Sequence, residues 1–516
     1  MELFSNLALG FSEAFSPQTL LYCFIGVFLG TFIGVLPGIG ALATISMLLP
    51  LTFHVPPTAA LVMLAGIYYG AQYGGSTASI LLNLPGTPSA AVACLDGYPM
   101  AQKGRAGVAL FLTTIASFVG ASLGIIILTA FSPMLSSVAL SFGPADYFAM
   151  MVLGLVAAAT LAQGSPVKGI SMVLVGLALG MVGTDVQTGQ QRFTFDIPQL
   201  SDGISLVALA MGLFGVAEVI ASIRRMGRNE GAKEKITLRS MMPTGQDMKQ
   251  STLPMLRGTG IGAIFGALPG AGATIASFIS YAVEKKVARD PSRFGKGAVE
   301  GVTAPESANN AAAQTAFIPT LTLGIPGDAV MALMLGAMII QGIQPGPRLV
   351  SDHPELFWGL IASFWIGNIM LVILNLPLIG IWVKMLAIPY RLLYPTILLF
   401  ICIGVFSVNN SAFDVLLVML FGIFGYAMML LRFEPAPLIL GFILGPLMEE
   451  HLRRAMLLSR GDLMVFMERP ISAGFLLSTA ALLAWAGYGL LRKRKADSLE
   501  AVEAATPAAD LARRAP

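Results

Sequence analysis

The chain has 516 residues, 56% of them hydrophobic and 11% charged, where a soluble domain carries roughly 25% charged residues. One water-facing core cannot hide that much apolar surface, so an ordinary soluble protein is excluded. A net charge of +3 is too small to argue for a nucleic-acid partner.

No Lys or Arg occurs before Lys103. The N-terminus therefore lacks the basic region of a cleavable signal peptide, and nothing holds it in the cytosol. Residues 26–41, GVFLGTFIGVLPGIGA, place a Pro-Gly pair inside an apolar run. Such a pair frees backbone amides and carbonyls, which is costly in lipid unless protein, water or a ligand satisfies them. Freed amides at the start of a half-helix suit an anion, and freed carbonyls suit a sodium ion. Pro37, Gly38 and Gly40 are binding candidates on this ground; the alternative is a packing kink lined by glycine.

Next come Tyr73-Gly-Gly-Ser-Thr-Ala-Ser79 and Asn83-Leu-Pro-Gly-Thr-Pro-Ser89. Small hydroxyls and an amide beside a second Pro-Gly break can bind carboxylate oxygens without a fixed counter-charge. Ser76, Thr77, Asn83, Pro85, Gly86 and Thr87 are the candidates here, against simple helix packing. Asp96 reads as a turn before the basic Lys103/Arg105 loop. Spans are expected near 106–130, 144–163, 166–183 and 204–223, with Asp146 and Glu218 interfacial. The run 106–132 carries no charge and exceeds the ~20 residues that cross ~30 Å of hydrocarbon. The loop Thr184–Gly203, with three Asp and one Arg, reads as external.

Residues 224–257 hold eight basic residues against three acids and read as a cytoplasmic linker between a first repeat (1–223) and a second (258–491). Residues 258–273, GTGIGAIFGALPGAGA, match 26–41 at eight of sixteen positions without a gap. The shared core makes Pro269, Gly270 and Gly272 candidates as well. A weaker echo pairs Leu82-Asn-Leu-Pro-Gly-Thr87 with Leu323-Gly-Ile-Pro-Gly-Asp328, so the second copy carries nine extra residues, expected in the basic loop Glu284–Gly297. Basic loops on both sides of 258–283 suggest a re-entrant hairpin rather than a kinked full span. The positive-inside rule then has the two copies enter the membrane from opposite sides, an inverted-topology repeat.

Pro305-Glu-Ser-Ala-Asn-Asn310, with Gln314 following, is the densest polar cluster in an apolar half. Intramembrane acids and amides are expensive and mark function, so Glu306, Ser307, Asn309 and Asn310 are candidates, with a sodium ion near Asn309 and Asn310. The alternative is a solvated helix start capped by Glu306. Pro326, Gly327 and Asp328 form the last candidate break; Asp328 either takes a proton or sodium ion or caps the following helix. Later spans are expected near 356–383, 391–407, 411–431, 435–448 and 471–491. The tail 492–516 opens Arg-Lys-Arg-Lys, reads as cytoplasmic and is expected to be disordered. The whole is an all-α polytopic membrane protein of about ten to twelve crossings, with broken helices or re-entrant hairpins.

The three cysteines lie in apolar stretches without metal-ligand spacing, which argues against disulfides, zinc and other bound cofactors. The three histidines read as loop or interface residues. No phosphate-binding loop, zinc-protease or nucleophile-elbow motif occurs, so the chain does not read as an enzyme. Any driving energy must come from an ion gradient or another subunit.

GVLPGIG near the start, YGGSTASILLNLPGTPSAAVACLDGYPMA at 73–101 and APESANNAAAQTAFIPTLTLGIPGD at 304–328 together resemble the large membrane subunit of the tripartite tricarboxylate transporter family. The likeness covers nearly all of the chain outside the tail. It implies a bacterial inner-membrane importer of di- or tricarboxylates or related organic acids, driven by a sodium or proton gradient. It also implies two partners, a small four-helix membrane subunit and a periplasmic solute-binding protein. Asp328 stands where a small hydroxyl residue is expected in many relatives. Alternative readings are a self-sufficient carboxylate carrier, a channel and an intramembrane enzyme.

Overall fold

The computed structural model describes residues 2–36, 40–161, 165–185, 187–224, 236–237, 239–270, 272–386 and 390–488. Pro37 and Gly38, linker residues 225–235 and the tail 492–516 lie outside the described residues. The chain opens with α1 (Glu2–Ala14), α2 (Pro17–Val35), α3 (Gly40–Thr52) and α4 (Pro57–Leu82). A 3-10 turn, Pro88–Val92, leads to α5 (Ala93–Gln102), α6 (Ala106–Ala139), α7 (Pro144–Leu161) and α8 (Pro166–Gly180). Helix α9 covers 206–224, with a π-helical middle at Met211–Val216. Then follow α10 (Gly245–Ala267), α11 (Gly272–Val287), α12 (Glu300–Thr315), α13 (Phe317–Leu323) and α14 (Ala329–Ile340). The last group is α15 (Pro354–Asn375), α16 (Ile379–Met385), α17 (Tyr390–Asn409), α18 (Ala412–Leu430), α19 (Ala436–Leu458) and α20 (Pro470–Tyr488).

Helices α2, α6, α15, α18 and α20 are long and apolar enough to cross a membrane. The all-α polytopic reading holds: among the described residues the strands amount to one small hairpin, Gly183–Thr184 against Gln191–Arg192. Several expected bounds shift for local reasons. The span expected at 356–383 breaks between Asn375 and Ile379, because Pro377 cannot donate its amide to the helix. The freed Leu374 carbonyl accepts the Trp382 indole N–H at 2.8 Å. Helix α19 runs ten residues beyond the expected 448, supported by the i,i+4 pairs Glu449–Arg453 and Glu450–Arg454. Helix α10 begins at Gly245, inside the stretch read as linker, behind a capping box of Thr244 and Asp247.

The internal repeat is visible in the backbone. Leu36 caps α2 with φ −86° and its amide on Ile33 O; Leu268, 232 residues on, caps α10 with φ −89° and its amide on Phe265 O. Gly40 and Gly272 then restart helices at φ +69° and +60°. The second pair of breaks matches too. Asn83 ends α4 in the left-handed region at φ 56°, and Gly324 ends α13 there at φ 71°, each followed two residues later by a proline that blocks continuation. The nine extra residues fall between the first turns of α11 and α12, around the loop 288–299.

The long helices of each copy pair through glycines. A Cβ on Gly26, Gly30 or Gly34 of α2 would run into the carbonyls of Met63, Ile67 and Ala71 on α4. One on Gly258, Gly262 or Gly266 of α10 would meet those of Ala304, Ala308 and Ala312 on α12. Small residues every fourth position let membrane helices approach backbone to backbone. The half-helices after the first breaks cross over: α3 packs on α14 of the second copy, and α11 packs on the turn Pro88–Val92 of the first.

Arg257 and Glu284 decide the course of 257–284. They form a two-pronged ion pair at 2.5 and 2.9 Å, although the break at Leu268–Gly270 lies between them. The chain therefore turns back on itself, so a hairpin, and not a kinked straight span, is what forms.

Three acids outside the candidate segments are fixed by partners. Asp96 is not a turn residue: it lies buried in α5 and accepts from Tyr281 Oη (2.9 Å) and from the amides of Gly297 and Ala298, both at 2.7 Å. Asp146 at the start of α7 is fully buried and accepts from the Arg469 guanidinium and the Ser472 amide. Asp185, in the loop after α8, accepts from Arg453 at 2.8 Å. That guanidinium, with the Gln187 amide and Thr188 hydroxyl, holds its carboxyl well below the usual carboxylate range. Of the histidines, His451 is helical and stacks on Tyr147 at 4.9 Å.

Candidate functional site

Helix α12 is buried along its entire length from Gly301 to Thr315, yet it carries Glu306, Asn309, Asn310 and Gln314. Residues four apart share a helix face, so Glu306, Asn310 and Gln314 line one side. That side meets α6. Ser117 Oγ donates to Glu306 Oε1 at 2.9 Å, and Asn310 Nδ2 donates to Ser117 Oγ at 2.9 Å and to the Glu306 carbonyl at 3.1 Å. Ser76 and Tyr73 of α4 also lie close to the Glu306 carboxyl. The Tyr73 hydroxyl itself donates to Asn368 Oδ1 of α15 at 2.5 Å, and Asn368 Nδ2 donates to Ser122 Oγ of α6.

Several polar atoms here have no hydrogen-bond partner: both amide atoms of Asn309, both of Gln314, Asn310 Oδ1 and Ser76 Oγ. All four residues are at most 1% exposed. A buried amide without partners costs roughly 1–3 kcal/mol per group, so such a concentration on one buried helix points to a ligand.

Beside this helix the second copy's two breaks meet, and the first copy's second break meets α2. In the second copy the Gly270 amide donates to the Gly327 carbonyl at 2.8 Å. In the first copy Gly86 lies so close to the Gly34 carbonyl and to Gly75 that no side chain would fit. Thr87 and Ser89 then form a hydroxyl cluster on Gln72 Oε1, with Ser89 at 2.5 Å and Thr87 at 3.5 Å. Asp328 is the N-cap of α14: its Oδ1 accepts from the Met331 amide at 2.9 Å and its Oδ2 from Tyr68 Oη of α4 at 2.6 Å.

Placement sorts the candidates. Glu306, Asn309, Asn310 and Ser76 gather around α12; Gly86, Thr87, Gly270, Gly272, Gly327 and Asp328 gather at the breaks. Pro269 and Pro326 stand inside those breaks without a polar contact of their own. Ser307 belongs to the packing, donating to Met255 O and Ala304 O. Thr77 is buried on α4. Asn83 and Pro85 are exposed, and Asn83 acts as a left-handed cap. Gly40 begins α3 with open space around it; its neighbours Pro37 and Gly38 lie outside the described residues.

Sequence reasoning missed Tyr68, Gln72, Ser89, Ser117 and Asn368. Gln72 and Asn368 carried a signal, a lone amide in an apolar run. Ser117 carried none, since hydroxyls in apolar helices are common.

The family described as the tripartite tricarboxylate transporter TctA family matches residues 20–440. Two proteins of Agrobacterium vitis are similar. One, described as an uncharacterized 52.8 kDa protein in the TAR-I ttuC' 3' region, is 55% identical over 477 residues, covering 92% of this chain and 94% of its own length. The other, described as an uncharacterized protein in the TAR-II ttuC' 3' region, is 61% identical over 215 residues, 42% of this chain and 89% of its own length. No solved structure matches.

Proposed function

The chain belongs to the tripartite tricarboxylate transporter TctA family, and from that premise we propose that it is the subunit through which an organic di- or tricarboxylate crosses the bacterial inner membrane. The reading includes a periplasmic solute-binding protein that hands over the substrate, a small four-helix membrane subunit alongside, and a sodium or proton gradient as the driving force. The N-terminus would face the periplasm and the C-terminus the cytoplasm.

One observation carries this reading. Two copies of the same broken-helix unit each lay a half-helix against the other, beside a buried helix on which the Asn309 and Gln314 amides have no partners. Broken helices meeting at an internal polar site are how secondary carriers hold substrate and coupling ion together. The partnerless amide N–H groups of Asn309 and Gln314 can donate to carboxylate oxygens, and the amide oxygens can face a cation. The contacts of α3 with α14 and of α11 with the 88–92 turn tie the two units together, so that a movement of one is felt by the other.

The test is uptake into proteoliposomes of labelled citrate, succinate and related acids, with and without sodium. Uptake should need an imposed cation gradient and both partners. Full-rate uptake by this chain alone would refute the three-component reading.

A further inference from the structure

We propose that Asp96 is the latch of a gate at the end of the molecule that carries the basic loops. Its carboxylate holds the joint between α5 and the 288–299 loop closed, and its release opens a water path toward the helix breaks. The gate's purpose rests on the transport reading; its opening does not.

Asp96 is 0% exposed and belongs to α5, in the first copy. Three donors reach it from the second copy: Tyr281 Oη on α11, and the amides of Gly297 and Ala298, which lead into α12. All three are uncharged. Beside them Lys103 Nζ donates to the Lys296 carbonyl at 2.6 Å. A Cβ on Gly301 would strike the Asp96 carboxylate, and one on Gly297 would crowd Met100. One side chain thus grips both the last turns of α11 and the approach to α12, the helix that bears the partnerless amides. The gripped amides lie in the loop that holds the nine residues absent from the first copy.

The duplication provides a comparison. At the 232-residue offset Tyr281 answers to Leu49, and at the 241-residue offset Asp96 answers to Ala337. Both are at most 1% exposed and lie in α3 and α14, which pack on each other. The other copy's joint is therefore apolar where this one is polar, with a tie at its rim from Gln341 Nε2 to the Thr52 carbonyl. Opening an apolar joint exposes surface that water disfavours. Opening this one returns a carboxylate to water, whose lost hydration burdens the closed form, and its donors exchange protein partners for water. The backbone on both sides can follow. Gly104, just past α5, and Gly295, ahead of the gripped amides, take φ +72° and +80° with nothing packed on them.

Ser277 reads the gate. It lies one turn nearer the break than Tyr281, on the same face of α11. It is 0% exposed, and its hydroxyl donates to the Ser89 carbonyl of the 88–92 turn. The experiment labels full-length Ser277→Cys protein, also carrying Cys94→Ser and Cys402→Ser, with a membrane-impermeant thiol reagent in vesicles that expose the basic loops. Labelling should be slow. Tyr281→Phe, which keeps the ring and removes one donor to the carboxylate, should speed it about tenfold, and Asp96→Ala should speed it further. A second protein, Lys103→Cys with Lys296→Cys, is bridged by a cleavable bifunctional thiol reagent in the complete three-component system. Bridging should stop carboxylate uptake, and cleavage should restore it. Two outcomes overturn the gate: unchanged labelling in folded Tyr281→Phe and Asp96→Ala proteins, or full uptake by the bridged protein. Faster labelling in both variants, with no carboxylate uptake by the complete wild-type system, would leave the gate standing and remove the transport reading.

Discussion

The Tyr68 hydroxyl donates to the Asp328 carboxylate over 2.6 Å, joining α4 of the first copy to the start of α14 in the second. The two residues are 260 positions apart in the chain. Their bond pins the second copy's break to a helix of the first, so that helix must be in place before this break is fixed. Tyr68→Phe keeps the ring and removes the donor. A hydrogen bond to a charged group is worth about 1.5–3 kcal/mol, so that loss should appear in unfolding of the purified chain, together with reduced uptake. Equal stability of the two proteins would contradict this assignment.

Helix α10 contains its own control for the glycine packing. A Cβ at Gly262 would overlap the Ala308 carbonyl, whereas Gly260 has nothing within 4 Å of that position. Gly262→Val should lose about 3 kcal/mol or fail to fold. Gly260→Ala should fold normally and gain up to about 1 kcal/mol from helix propensity. Folded yield after detergent extraction, followed by unfolding of the survivors, separates the two.

The Arg257–Glu284 pair closes the hairpin from both ends. Glu284 is 2% exposed, so removing Arg257 strands a buried charge and should cost about 3 kcal/mol, whereas removing Glu284 leaves a guanidinium that reaches solvent and should cost less. The double exchange Arg257→Glu with Glu284→Arg should recover part of that loss. A double exchange no better than the worse single variant would show that the pair does not close this turn.

Acid sensitivity of the loop after α8 follows from Asp185. Its carboxyl titrates below the ordinary 3.8 because the Arg453 hydrogen bond favours the charged form. A depressed native value means that the group contributes stability fully above the unfolded value, and that this contribution fades as pH falls toward the folded value. The difference in unfolding midpoint between wild type and Asp185→Asn should be constant from pH 7 down to about 4 and shrink below that. A gap that widens with acid would reverse the sign and refute the assignment.

Much of the architecture was legible because it rests on local rules. Pro-Gly in an apolar run announced the breaks, and the 232-residue offset announced the duplication, which reappears in the matched caps of Leu36 and Leu268. The hairpin followed from basic residues on both flanks. What the sequence hid were contacts between distant segments. Nothing near Ser117 signals that it faces Glu306, and Asp96 reads as a turn until Tyr281 and the 297–298 amides close on it. Pro377 was visible in the sequence, but a proline in an apolar run can also sit in a merely kinked helix. Asn83, a binding candidate, ends α4 in the left-handed region and is exposed, a backbone state that composition does not reveal.

The crossed half-helices also constrain how the molecule is born. A ribosome that has completed residue 223 has inserted a half whose α3 has no α14 to lie on, and residues 329–340 are still unmade. Until they emerge, the face of α3 that packs on α14 lacks that cover. The newborn half must therefore wait in the bilayer, shielded by insertion factors or exposed to quality-control proteases. Residues 1–223 expressed alone should be short-lived in a pulse-chase, and co-expression of 224–516 should lengthen their lifetime.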